Sequence, residues 1–326
     1  MSVLVAGGAG FVGSHLCERL VRDGERVICV DNLITGRLDN VCDILGQPRF
    51  SFLHHDVVDP LPALPHVDRI YHLASPASPP VYQRYPVETM RVNSEGTRHL
   101  LDLAARHGAR FLFASTSEVN GDPLVHPQPE DYRGNVSLTG PRSVYDAAKR
   151  YGEALTQTYA KSRGVETRIV RIFNTYGPRL DTADGRVVSN FVVQALAGEA
   201  LTVYGDGSQT RSFQYIDDLV DGMVRLMASS CREPVNIGNP SEFTMLEFAH
   251  LVLRLTGSSS EIAFLPLPVD DPRQRRPEIS RARAVLEWEP RVPVEVGLMR
   301  TIAYFRDQLP RDAKQSYGLV ATHAVP

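Results

Sequence analysis

Short apolar runs separated by turn signals and amphipathic stretches set the reading of this chain. Ser2 to Ala6 (SVLVA) is apolar, GGAGFVG follows, a helical pattern runs through Asp23, and Arg26 to Val30 (RVICV) is a second apolar run ending on Asp31. This predicts strand, glycine turn, helix and strand. Further strands are predicted at Phe50 to Leu53, Arg69 to Leu73, Arg110 to Ala114 and Thr167 to Ile172, with long amphipathic helices at Val87 to Arg106 and Val144 to Arg163. The alternation predicts an α/β fold with a doubly wound parallel (Rossmann) sheet, whose ligands sit at the C-terminal ends of the strands. Polar residues fall at those ends: Asp56, Ser75, the run Ser115 to Glu118, and Asn174. After Pro178 the texture changes to short elements between loops rich in Gly, Pro, Asp and Arg, so a boundary is expected near 175. Residues 1–175 read as the sheet domain, rejoined by about 212–238. Residues 176–310 read as a smaller C-terminal substrate domain, and 311–326 as a loose tail, periodicity being lost from Gln308 onward. The two long helices either cover the sheet or share a face in a homodimer.

Composition narrows the function. With 35 basic and 38 acidic residues the net charge is −3, so no broad basic field exists for nucleic acid, and an anionic ligand must be met by local arginines. The four cysteines (Cys17, Cys29, Cys42, Cys231) have no metal-like spacing and read as reduced core residues. His54, His55 and His72 are not metal-spaced either, and no metal site is expected. The chain starts directly in a strand and contains no run of membrane-spanning length, which leads to the expectation of a cytoplasmic protein.

The chemistry begins with the glycines. Gly7, Gly10 and Gly13 let the backbone turn, approach a pyrophosphate and pack helix on strand, and Asp31 can accept hydrogen bonds from ribose hydroxyls. In SVYDAAKR, Tyr145 and Lys149 lie four residues apart on one helix face. An ammonium near a phenol favours the phenolate, so this pair is expected to work as a proton acceptor.

GGAGFVGSH, Asp31, HLASPASP, STSEV, YDxxK, RIFNTYGPR, DGRVVSNF, LTVYGDGSQTRSFQY and DDPRQRRP together resemble the extended short-chain dehydrogenase/reductases. Within them they are most similar to the UDP-glucuronic acid decarboxylases, also called UDP-xylose synthases, from Val3 to about Phe305. The resemblance implies NAD held by Gly7, Gly10, Phe11, Val12, Gly13, Asp31, Asn32, Thr35, Gly36, Asp56, Val57, Leu73, Ser75, Ala114, Tyr145, Lys149, Thr175 and Arg186. It implies a nucleotide sugar held by Glu118, Tyr145, Asn174, Arg179, Asn190, Tyr204, Arg211 and Arg275, with Asn174, Asn190, Tyr204, Arg211 and Arg275 lying around the diphosphate and uridine. Tyr145, Lys149, Thr116, Glu118 and Ser117 become the implied catalytic set. Oxidation at sugar C4 would make the C6 carboxylate a β-keto acid, ready to lose carbon dioxide before the hydride returns to C4. Thr116 and Glu118, two residues apart on an extended segment, are expected to face the same side. Glu118 either disfavours the substrate carboxylate or positions a proton-donating water. Ser117 stands where the related 4,6-dehydratases carry an acid, which leans the chemistry away from dehydration.

Two departures from the family pattern are Asn120, in place of a tyrosine, and Ala147, in place of an acid. They read either as repacking or as a loosened closure that lets some UDP-4-keto-pentose escape. The alternatives to decarboxylation are a nucleotide-sugar 4-epimerase, converting UDP-glucuronate to UDP-galacturonate, and a non-enzymatic NAD-binding scaffold or sensor.

Overall fold

A computed structural model of the chain describes residues 1–267 and 274–316. Six of the apolar runs form β1 (Ser2–Ala6), β2 (Arg26–Asp31), β3 (Phe50–His54), β4 (Arg69–His72), β5 (Arg110–Thr116) and β6 (Thr167–Ile172). Between them run α1 (Phe11–Arg22), α2 (Pro79–Arg84), α3 (Pro86–Arg91), α4 (Thr97–His107) and α5 (Ser143–Arg163). The later part of the chain supplies β7 (Thr175–Tyr176), α6 (Val187–Ala197), β8 (Leu201–Tyr204), β9 (Thr210–Ser212), β10 (Gln214–Tyr215) and α7 (Ile216–Ala228). It continues through β11 (Val235–Ile237), β12 (Glu242–Thr244), α8 (Met245–Thr256), β13 (Ile262–Leu265), β14 (Gln274–Arg275), α9 (Ser280–Leu286) and α10 (Val294–Ser316).

Seven strands form one sheet in the order β3-β2-β1-β4-β5-β6-β11, every neighbouring pair parallel. The chain winds outward from β1 to β3 and then returns to β4 on the other side of β1. That reversal opens a crevice at the strands' C-terminal ends, where such sheets bind ligands. Successive side chains point to opposite faces, so Phe111 and Phe113 of β5 join one core cluster while Leu112 and Ala114 join the other. With both faces covered by helices, the strands are apolar throughout instead of alternating with polar residues.

The cluster containing Leu112 and Ala114 continues through Leu219 and Met223 of α7 to Phe248 of α8 and Leu298 and Phe305 of α10. The C-terminal elements therefore share a core with the sheet. β11 returns to the sheet beside β6, whereas the short strand before α7 does not: β10 pairs with β7 in a sheet of its own.

Two elements depart from the sequence pattern. The helix expected from Val87 to Arg106 contains a π turn at Val92–Gly96. There the Asn93 side chain donates to the carbonyl of Thr89 (2.8 Å) and to Ser75 Oγ (2.9 Å), while Thr97 Oγ1 donates to the carbonyl of Asn93 (2.9 Å). Side chains turned back onto backbone carbonyls accompany the widened turn, which an apolar periodicity does not reveal. The loose tail expected from Gln308 is helical as far as Ser316. Its Arg, Ala, Lys and Gln residues favour a helix by intrinsic propensity without any apolar stripe.

Among the described residues no helix is long and apolar enough to cross a membrane, and no group of His, Cys, Asp and Glu is placed to hold a metal. Cys17 and Cys29 are buried as expected, whereas Cys42 is exposed.

Candidate active site

A cleft of about 750 Å³ runs along the C-terminal ends of the strands. Of all the residues named above as cofactor, substrate or catalytic positions, only Gly36 does not line it. Gly36 packs instead beside the Asp31 carboxylate, where a side chain would crowd the acid.

At one end the backbone does the shaping. The turn between β1 and α1 presents Gly7, Gly10, Phe11, Val12 and Gly13 to the cleft. A Cβ on Gly13 would overlap the Gly7 carbonyl oxygen, so this close return of the chain requires glycine. Asp31 closes the end of β2; its carboxylate accepts from Ala9 N (2.9 Å) and Leu33 N (2.8 Å), and burial pushes its carboxyl upward. Asn32 Nδ2 donates to Asp56 Oδ2 at 2.9 Å, which joins the ends of β2 and β3. A glycine cradle, a helix N-terminus and an acid at the end of the second strand fit the diphosphate and ribose of a dinucleotide.

The middle of the cleft is set by α5. Gly152 lets this helix lie directly on the Phe113 ring of β5, where a Cβ would overlap it. Arg171 of β6 donates to the Glu153 carboxylate (2.8 Å), which also accepts from Ser115 Oγ, pinning helix to sheet. This contact aims Tyr145 and Lys149 into the cleft, both nearly fully buried. Lys149 Nζ donates to the carbonyl of Ala114 at 2.9 Å and lies 5.7 Å from the centre of the Tyr145 ring. Burial pulls the Lys149 amine down to about 7, with Glu153 opposing it.

The expected lowering of the Tyr145 phenol by this amine is not the balance found. Burial dominates and raises the phenol, Glu118 adds to the rise, and a hydrogen bond with Thr116 and the charge of Arg186 pull it back. Lys149 gives one of its donors to the backbone, and the groups that tune Tyr145 are Glu118, Thr116, Arg186 and Asp146.

Thr116, Ser117 and Glu118 reach the cleft by a route different from the one expected. The extended strand stops at Thr116, and Ser117–Asn120 form a turn of 3₁₀ helix capped by Thr116 Oγ1, which accepts from Glu118 N at 3.2 Å. All three side chains line the cleft because the chain coils, and strand alternation plays no part. Glu118 is buried between two arginines: Arg142 Nη2 at 3.0 Å and Arg275 Nη1 at 3.4 Å. Burial alone would raise this carboxyl, but the two guanidinium groups overcome that and hold it low. Arg275 is thus paired with the carboxylate just past the end of β5.

Two arginines of the loop after β7 also line the cleft. Arg186, expected on the cofactor, pairs with Asp184 (2.6 Å) and is charge-coupled to Tyr145 and Glu118. Arg179, expected on the substrate, pairs with Glu18 of α1 (2.7 Å) beside the glycine loop. Sequence spacing could not assign either, because both follow β7 in a loop that runs past the two ends. Arg211 and Arg275 are aligned across the parallel β9 and β14. Asn174 Nδ2 donates to the carbonyl of Ser212 (3.3 Å), and Asn190 Nδ2 to that of Gly185 (3.0 Å). Arg273, Asp270 and Asp271, expected beside Arg275, lie outside the described residues.

Sequence reading missed Tyr82, Arg142 and Asp146. The Tyr82 ring stacks on Tyr145 at 5.1 Å between centroids and 3° between planes. Arg142 and Asp146 flank Tyr145 in SVYDAAKR and its preceding turn, and the i, i+4 spacing between them was the available signal. Asn120 and Ala147 are both absent from the cleft lining. The buried Asn120 amide makes no side-chain hydrogen bond.

Comparison with known proteins follows this geometry. The NAD dependent epimerase/dehydratase family matches residues 3–238. UDP-glucuronic acid decarboxylase 1 of Danio rerio is 56% identical over 315 residues, covering 97% of this chain and 75% of that protein. UDP-glucuronic acid decarboxylase 1 of Arabidopsis thaliana is 52% identical, covering 95% and 71%. The chain belongs to the UDP-glucuronic acid decarboxylases of that family. Solved structures of the wider NAD dependent epimerase/dehydratase type share the fold. The UDP-glucose 4-epimerase of Thermotoga maritima with UDP-glucose superposes with a TM-score of 0.88 at 31% identity, over 95% of this chain and 100% of that one. The UDP-glucuronic acid 4-epimerase of Bacillus cereus, in complex with UDP-glucuronic acid and NAD, gives 0.85 at 28% identity, over 94% and 99%.

Proposed function

We propose that this protein decarboxylates UDP-glucuronic acid through a 4-keto intermediate to UDP-xylose, using bound NAD with no net consumption. The observation that carries the reading is the buried Glu118 between Arg142 and Arg275, next to Tyr145 and Thr116, in a chain whose curated relatives are UDP-glucuronic acid decarboxylases. Gly7 to Gly13, Asp31, Asn32 and Asp56 would hold the dinucleotide. When bound, NAD supplies a hydride acceptor, and later a donor, for sugar C4.

Tyr145 takes the proton of the C4 hydroxyl and returns it at the end, positioned by Thr116 and stacked on Tyr82. Lys149 fixes the helix against the Ala114 carbonyl and offers its remaining donors to the cofactor ribose. With C4 oxidised, the bond from C5 to the carboxylate can break and leave its electrons on the C4 oxygen. The arginines near Glu118 orient the sugar end, and Arg211 serves the diphosphate by paired, charge-assisted hydrogen bonds. Exposed Val87 and Met90 of α3 and Tyr151 of α5 support a homodimer built on these neighbouring helices.

The test is incubation of the purified protein with UDP-glucuronic acid, followed by mass spectrometry of the sugar nucleotide. A UDP-pentose with released carbon dioxide is expected. A mass-neutral conversion to UDP-galacturonate would establish the 4-epimerase instead, and NAD binding without turnover would establish the scaffold.

A further inference from the structure

Decarboxylation by this route needs a proton that Tyr145 cannot supply. Tyr145 removes one proton from O4 and gives the same proton back when C4 is reduced. Loss of carbon dioxide breaks the C5–C6 bond and places its electron pair in an enolate, and C5 must then gain a hydrogen. One further proton enters in every turnover.

Beside Glu118 sits Asp146. Its side chain is 5% exposed, it does not line the cleft, and its Oδ1 has no hydrogen-bond partner. α5, which carries Asp146, packs against the Ser117–Asn120 turn that carries Glu118, and the two carboxyls act on each other there. Two buried carboxyl groups in contact do not both stay ionised, because one proton between them relieves both repulsion and desolvation. The other groups facing the pair are Arg142, Arg275, Tyr82 and Tyr145, with Arg186 also close in charge to Glu118.

We infer that Asp146 holds the proton used at sugar C5 and delivers it through Glu118, so that the two carboxyls act as one acid. This rests on the decarboxylase reading above. Asp146 is a positioning residue that acts through Glu118, which is the member facing the cleft. At the start the pair carries one proton and one negative charge. As C5 is protonated, an O–H bond of the pair breaks and a C–H bond forms. The pair is left with two negative charges facing Arg142 and Arg275, and it regains one proton from solvent before the next turnover. Two guanidinium groups beside a single carboxylate give the cluster the means to stabilise that doubly charged state.

The proton distribution agrees with this geometry. Burial, reinforced by the Glu118 charge, pushes the Asp146 carboxyl up to about 8, against the opposing pull of Arg142 and Arg275. The pair is therefore loaded at neutral pH and unloads as pH rises.

The experiment compares holoenzyme of wild type, Asp146→Asn and Asp146→Glu with UDP-glucuronic acid from about pH 6 to about pH 9.5, reading kcat, KM and retained NAD. If wild type forms no pentose, the decarboxylase reading fails and this inference falls with it. If wild type turns over, its kcat is expected to fall on the alkaline side, and Asp146→Asn is expected to lower kcat at least about tenfold, leave KM within about threefold, and abolish that alkaline fall. Asp146→Glu is expected to restore most of kcat with a displaced alkaline limb. A kcat and alkaline limb in Asp146→Asn within about twofold of wild type would overturn the proposal. So would an Asp146→Glu enzyme as slow as Asp146→Asn, since that marks a role of shape alone. Should Asp146→Asn fail to fold, an undisplaced alkaline limb in Asp146→Glu overturns it.

Discussion

The two ends of the cleft are built by different means. The end bearing Gly7 to Gly13 and Asp31 is made from backbone: a turn that only glycine permits, a helix start and one carboxylate held by amides. The other end is made from side-chain charge, with Glu118 bridged to Arg142 and to Arg275, 157 residues further along the chain. A backbone site binds groups common to many substrates, such as phosphate and ribose. A charged side-chain site can be altered one residue at a time.

That contrast predicts different failures at the two ends. The largest effect is expected from Tyr145→Phe, which removes the proton acceptor while leaving the cofactor end intact. Turnover should fall by roughly 10²- to 10⁴-fold with NAD binding unchanged. Parallel loss of NAD would show that the ends are not separable. A smaller effect is expected from Gly13→Ala, whose Cβ overlaps the Gly7 carbonyl. Overpacking of about 1–3 kcal/mol should weaken NAD by about 10- to 100-fold in a binding titration, and native NAD affinity would contradict the cradle. The smallest effect is expected from Asn120→Tyr and Ala147→Glu, neither of which lines the cleft. The ratio of 4-keto pentose to pentose, read by mass spectrometry, should change by less than about twofold; a clear drop in the 4-keto product would revive the loosened closure.

The same contrast explains what was legible in the sequence. The sheet, its helices and the cofactor end follow from local signals, because GGAGFVG and Asp31 are adjacent in both sequence and space. Tyr145 and Lys149 were legible from helical spacing and from resemblance to known motifs. What tunes them was not. The coil of Ser117–Asn120 replaces strand alternation, the Lys149 donor goes to Ala114, and Arg275 turns to Glu118, all of which depend on tertiary contacts. Arg179 meets Glu18 of α1 across the fold for the same reason. Asp146 stood in plain view beside Tyr145, but its significance needs the burial and the contact with Glu118 that only folding creates.

The central claim is that the charged end of the cleft breaks the bond from C5 to the carboxylate and replaces it with a bond to hydrogen. It is tested most directly by turning over UDP-glucuronic acid in deuterated water and weighing the product. The account predicts a UDP-pentose carrying one solvent deuterium at C5, with carbon dioxide released in equal amount. A product that keeps all six sugar carbons would contradict it.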